Sequence, residues 1–247
     1  MIPVSAPVRA RDRLRRAPDG PVRIVHRGPD AVYLALDDGC LGVTGAGAVA
    51  VPCALHSRVA RFDVRTAAVR AGVLHLDGEP LAVRRLVDTR VPSLPALPAG
   101  APPAPARMSA VGLPTAVTPD TAGDLVGRGE GLTPLGDDVL CGWLALHRAA
   151  GADTTTVDVA VRAHLHRTTL LSATLLRCAL DGEVIPRFAA FVAALGSPAE
   201  PAAEAALAGV GHSSGTGMAY GARLALAVLR PGPPGLPVPD RSEGVAA

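Results

Sequence analysis

Residues 92–105 read PSLPALPAGAPPAP, and this run divides the chain more sharply than any other feature. Proline fixes φ and removes an amide donor, so a stretch this dense in Pro and Ala stays extended and separates what lies on either side. Before it the apolar residues recur with a period near two; after it the period is near 3.6. The expectation is an α+β chain. A small antiparallel β sheet or barrel occupies residues 1–91, a Pro/Ala-rich spacer 92–107, and a mostly helical domain with glycine-rich loops 108–230. A disordered tail follows over 231–247, where PGPPGLPVPD blocks any helix.

In the first part, Val22–His26, Ala31–Leu36, Val49–Leu55, Val73–Leu76 and Pro80–Leu86 are β-branched or alternating. Gly28-Pro29, Asp37-Asp38-Gly39, Gly45-Ala46-Gly47 and Asp77-Gly78 punctuate them as turns. Residues 1–20 carry Arg9, Arg11, Arg13, Arg15 and Arg16 without an apolar run, and are expected to form a loose arm or irregular edge. In the second part Val139, Leu140, Trp143, Leu144 and His147 share a helical face that Pro134 or Asp137 begins and Gly151 ends. Further helices are expected near 155–167, 168–181, 185–195, 199–209 and 217–229, with Gly182, Gly196 and Gly209 as stops.

Two compositional facts narrow the function. All 24 basic residues are arginine, so no lysine exists to form a Schiff base or complete a P-loop. A net charge of +2 with 2% aromatic residues argues against nucleic acid as a partner. Cys40, Cys53, Cys141 and Cys178 are scattered, without C-x-x-C or a disulfide-framework spacing, which suits a reduced, cytoplasmic protein. No window is apolar enough for a membrane helix, so no membrane partner is expected.

The chemistry concentrates in two glycine-rich loops, GRGEGLTPLGDD at 127–138 and GHSSGTGMAYG at 211–221, each opening onto a helix. Glycine lacks the Cβ that would hold a ligand away from the main chain, so Gly129, Gly131 and Gly136, with Thr133, are candidate substrate contacts. Asp137 and Asp138 fall in the first turn of the following helix, where the dipole favours carboxylates. They equally suit accepting N–H groups from an amide or ureido substrate, ordering the loop, or holding a metal. The second loop has no acidic side chain. Ser213, Ser214 and Gly215 suit a phosphate or carboxylate, with His212 as donor or proton shuttle, and the same hydroxyls also suit plain helix capping. Thr168 and Ser172, four apart, would place hydroxyls on one helix face, as a pocket wall or bonded back to the preceding turn. His164 and His166 lack further metal-ligand spacing. Neither a metal nor a cofactor is called for.

GRGEGLTPLGDDVLCGW, TTLLSATLLRCALDG and GHSSGTGMAYG resemble, in order and spacing, the signature blocks of the AllH/YlbF-like family, whose members are found with an FdrA-like protein. The resemblance implies a subunit of oxamate carbamoyltransferase, converting oxalurate and phosphate into oxamate and carbamoyl phosphate in allantoin degradation. It implies a small anionic substrate (phosphate, carbamoyl phosphate or oxamate-like) and other subunits of the complex as partners. Against the family's blocks, G-L-T-P-S-G-D-D and G-H-S-S-G-x-D, this chain has Leu135 for the serine and Gly217 for the aspartate. On this reading His212, Asp137 and Asp138 are the candidate catalytic residues. The alternative is a non-catalytic small-anion-binding or assembly subunit, and Arg128 or Arg167 are candidates to supply charge.

Overall fold

The computed structural model describes residues 1–94, 97 and 112–229. Most of the Pro/Ala spacer and the whole expected tail lie outside the described residues. The organisation is α+β, as the change of period implies: a curled nine-stranded sheet followed by helices. Its strands are β1 (Ile2–Pro7), β2 (Gly20–Pro21), β3 (Ile24–Arg27), β4 (Ala31–Leu36), β5 (Gly39–Thr44), β6 (Ala54–Ser57), β7 (Ala67–Arg70), β8 (Val73–Leu76) and β9 (Glu79–Val87). They lie in the order β2-β7-β8-β9-β1-β6-β5-β4-β3. Pairing is mostly antiparallel, but β1–β9 and β5–β6 are parallel.

Tight hairpins set the register. Ala71-Gly72 (φ 48° and 73°) joins β7 to β8, and Asp77-Gly78 (φ 48° and 84°) joins β8 to β9. Both central residues have positive φ, the geometry whose twist matches that of the strands it connects.

The first twenty residues are no loose arm. β1 lies in the interior of the sheet order, and Val8–Arg16 form helix α1, whose Ala10 and Leu14 are buried four residues apart. The arginines conceal this pattern because the guanidinium groups of Arg9 and Arg13 reach partners elsewhere in the fold. Arg13 donates to the carbonyls of Cys40 (2.9 Å) and Leu36. The strand expected at Val49–Leu55 is displaced to β6. Val49 and Val51 instead pack, partly buried, against the helical core. β5 carries no alternation the sequence could display, because it is buried at every position, and β7 alternates over only four residues.

The helices are α2 (Pro119–Leu125), α3 (Leu135–Ala149), α4 (Thr155–His164), α5 (Leu170–Leu180), α6 (Pro186–Ala194), α7 (Glu200–Ala208) and α8 (Ser214–Leu229), with a 3-10 turn at Leu165–Arg167. α2, begun by a Thr118/Thr121 capping box, carries too little apolar sequence to be anticipated. α8 starts three residues earlier than expected, so Ser214, Gly215 and Thr216 belong to the helix rather than to the loop before it.

α3 and α8 form the centre of the helical layer and approach through glycine. A Cβ on Gly142 would lie 2.0 Å from the Met218 carbonyl oxygen, and one on Gly221 would lie 1.9 Å from that of Val139. Around them Leu140, Leu144, Phe188, Phe191 and Tyr220 are buried in one core. Arg223 is buried too. It forms ion pairs with Glu200 (2.7 Å) and Glu204 and lies over the Phe191 ring, tying α6 and α7 to α8.

The sheet and the helices are stitched together. The Cys40 amide donates to Thr174 Oγ1 at 2.8 Å, and Arg9 pairs with Glu183 at 2.6 Å and with Asp181. Val91 and Leu94, at the start of the Pro/Ala run, donate their amides to Gly182 and Ala149 (both 2.7 Å). The junction between the two parts encloses a cavity lined by Thr133, Asp138 and Ser214 among the sequence candidates.

Candidate active site

The two glycine-rich segments converge. Thr133 Oγ1 and Ser214 Oγ, 81 residues apart in sequence, lie 3.0 Å from one another. Between them and the sheet is a cavity of about 250 Å³, lined by Thr133, Asp138, Cys141, Ser214 and Met218 from the helical side. Tyr33, Val49 and Val51 line it from the sheet side, and Leu171, Leu175, Glu183 and Phe188 close it.

Each aspartate has a distinct job. Asp137 is 1% exposed, and its Oδ1 accepts the Gly127 amide at 2.8 Å. Its Oδ2 accepts the Ser172 hydroxyl at 2.6 Å and the Thr168 hydroxyl. One carboxylate therefore ties the first glycine loop to the start of α5. Burial raises its pKa, and the three donors work against that rise. Replacing it with Asn keeps the shape but gives up the charge that strengthens three hydrogen bonds. Asp137→Asn is expected to cost about 1–2 kcal/mol of unfolding free energy in urea titrations. An unchanged midpoint would remove Asp137 from this role.

Asp138 faces the cavity. It is 5% exposed, and its Oδ2 has no hydrogen-bond partner. Burial pushes its pKa up to about 8; the neighbouring Asp137 charge adds to the rise and a hydrogen bond with Ser214 opposes it. The rise favours the protonated carboxyl near neutral pH, in a largely apolar chamber.

The remaining sequence candidates divide. Thr133 and Ser214 line the cavity, whereas Thr168 and Ser172 are engaged by Asp137 behind it. Thr168 precedes α5, with Thr169 as the cap, so the pair does not share a helix face. Gly215 is buried with its amide bonded to the Val210 carbonyl at 3.0 Å, and a Cβ there would lie 1.7 Å from the Leu207 oxygen. Gly136 likewise donates to the Arg128 carbonyl (2.8 Å) and packs on that of Leu125. These two glycines serve close packing. Gly129 and Gly131 are exposed in the loop with φ of 116° and 87°. His212 is exposed, Ser213 is half-buried, and neither lines the cavity. Arg128 and Arg167 do not line it either; Arg167 donates to the Gly123 carbonyl.

Sequence reasoning missed Cys141, Tyr33 and Glu183. Cys141 was accessible in principle, lying three residues after Asp138 on the same helix face. Tyr33 and Glu183 arrive through the sheet–helix junction, for which no local pattern exists. Among the described residues, no group of three or more His, Cys, Asp or Glu is placed to hold a metal ion. None of their helices is long and apolar enough to cross a membrane.

The family model described as oxamate carbamoyltransferase subunit AllH matches residues 125–226. This stretch holds all three sequence blocks and the helical wall of the cavity, so the resemblance read from those blocks is borne out there. No curated protein and no solved structure matches the chain. The two departures from the family's blocks are neighbours in space. A Cβ on Gly217 would lie 2.9 Å from Leu135 Cδ1 and equally close to Asp138 Cβ. The larger apolar side chain at one position occupies room that a carboxylate at the other would need.

Proposed function

We propose that this chain is a carbamoyltransferase subunit whose cavity receives the uncharged amide or ureido end of an oxamate-like substrate. The observation that carries the proposal is Asp138, which combines a free Oδ2 with a pKa near 8 beside the Thr133–Ser214 hydroxyl pair. Such an acid donates to a carbonyl oxygen, and the hydroxyls accept the substrate's N–H groups. In transfer from oxalurate to phosphate, the bond between the carbamoyl carbon and the oxamate nitrogen breaks. A phosphate oxygen bonds to that carbon, and the departing nitrogen gains a proton. In this reading Asp138 delivers it.

The cavity lining contains no arginine, and its charged groups are carboxylic. Phosphate therefore needs a cation from outside the lining, which favours a site completed by a partner subunit. The same feature supports a second reading, in which the chain only binds or assembles and the partner performs the chemistry.

Asp138→Asn separates these readings, because an amide still donates to a carbonyl but cannot transfer a proton. In the complete complex, turnover of oxalurate with phosphate is expected to fall by about 10²–10⁴-fold while KM changes only a few-fold. Unchanged turnover would leave the assembly reading. In thermal-shift titrations of the chain itself, oxamate at a hundredfold excess over Kd is expected to stabilise by about 2.7 kcal/mol, and Ser214→Ala to reduce this.

A further inference from the structure

A second concavity, of about 730 Å³, lies on the sheet away from this site, between β8 and β9 with α1 beside it. Its lining includes Arg11, Arg15, Arg70, Arg84 and Arg85, and no carboxylate. Arg11 is paired with Asp12 at 2.7 Å, and the Met1 ammonium at the mouth with Glu79 at 2.7 Å. Arg15, Arg70 and Arg85 have no ion pair among the described residues, and Arg84 contacts only the Met1 sulfur. Like charges are gathered here at a cost that an anionic occupant would relieve.

The groove also exposes backbone. β8 pairs with β9 only at His75–Pro80 and Leu76–Glu79, whereas β1 pairs with β9 along its other side from Leu81 to Val87, with one register shift that leaves Arg84 as the extra residue of a bulge. Among the described residues, no strand pairs with the groove-facing edge of β9 over 81–87. An open edge of this length is a template for an added strand. Exposed apolar side chains, Met1 (69% exposed) and Leu86 (44%), stand on its rim.

We propose that the groove takes up an extended, acidic segment of a partner chain as an additional strand on β9. Small anions fit less well, because the arginines come from three separate elements, α1, the end of β7 and β9, around a concavity of about 730 Å³, far more room than one small anion fills. Nucleic acid fits less well because no Phe, Tyr or Trp lines the groove for base stacking. An acidic strand satisfies both the edge and the arginines.

The test uses fluorescence anisotropy with the full chain and an acetylated, amidated peptide of four Glu-Val repeats. A second version is N-methylated at alternate amides, and RNA of similar length and inorganic tripolyphosphate serve as competitors. The unmodified peptide is expected to bind at 50 mM salt and to weaken at least tenfold at 300 mM. It is expected to weaken at least tenfold for Arg84→Glu/Arg85→Glu, and equally on N-methylation. Circular dichroism checks that the double variant is folded. If folding fails, Arg70→Glu, on an exposed hairpin residue, is the second variant, with the same expected loss. Equal binding of both peptides would overturn strand addition. Displacement by RNA or tripolyphosphate at lower concentration than by free peptide would overturn the acidic-segment assignment. No binding of the peptide at 50 mM salt would overturn the proposal as a whole.

Discussion

Gly142→Ala and Gly221→Ala are each expected to lower the unfolding free energy by at least about 3 kcal/mol, read from urea midpoints at constant m. The added methyl carbon would sit 2.0 Å or less from a main-chain carbonyl oxygen of the facing helix. A flexible side chain could turn away from such a contact. A carbonyl held in the hydrogen-bond ladder of α3 or α8 cannot, so the two helices would have to separate. Separation opens voids around Leu140, Leu144 and Tyr220, all buried, and adds a cavity cost to the strain. Because Asp138 lies on α3 and Ser214 on α8, the Thr133–Ser214 contact widens with them, and ligand binding should fall alongside stability. Gly209→Ala is the control. Its nearest neighbour would be 3.6 Å away at ordinary φ, and the expected change is within about 1 kcal/mol. If the two helical glycines tolerate alanine as well as Gly209 does, close approach is not what joins α3 to α8.

The same residues show how much a sequence can disclose. The change of apolar period across the Pro run shows an α+β chain because periodicity is a local property. For the same reason α3, α5, α6 and α7 lie within a few residues of their expected positions. The role of glycine is different. Gly136, Gly215 and Gly217 look like parts of ligand-cradling loops when read along the chain. The reason for the missing Cβ lies in what the fold brings against each one: the Leu125 and Leu207 carbonyls of the preceding helices for Gly136 and Gly215, and the Leu135 and Asp138 side chains of α3 for Gly217. Arginines mislead in a related way. Five of them along nine residues of α1 and its approach read as an exposed charge run, yet Arg13 caps sheet carbonyls and Arg9 reaches Glu183. Arg11 and Arg15 join Arg70, Arg84 and Arg85 only when β7, β8 and β9 fold back beside the helix. Asp137 and Asp138 are adjacent in sequence and both signalled a site. Which one is bonded on every side and which one keeps a free oxygen is decided by α5 and α8.

Asp138 should leave a pH signature on stability whose sign follows from its raised pKa. Below about pH 4 the carboxyl is protonated in the folded and unfolded chain alike, and it contributes no pH dependence. Between about 4 and 8 the unfolded chain releases the proton while the folded chain keeps it, so folded-state stability falls as pH rises. Above about 8 both forms are ionised and the penalty stays constant, on the order of a few kcal/mol for a shift of this kind. Asp138→Asn cannot ionise and escapes the penalty. Unfolding free energies measured at pH 5 and pH 8.5 are therefore expected to shift in the variant's favour by a few kcal/mol relative to the native chain. Taking the difference between the two proteins cancels other titrating carboxyls such as Glu183, whose pKa burial also raises. A difference that stays flat from pH 5 to 8.5 would mean that Asp138 ionises normally, and the proposed proton donor would then be absent at neutral pH. A rise in stability, coupled with loss of turnover in the same variant, would instead mean that the fold carries a destabilising acid at the position where transfer needs one.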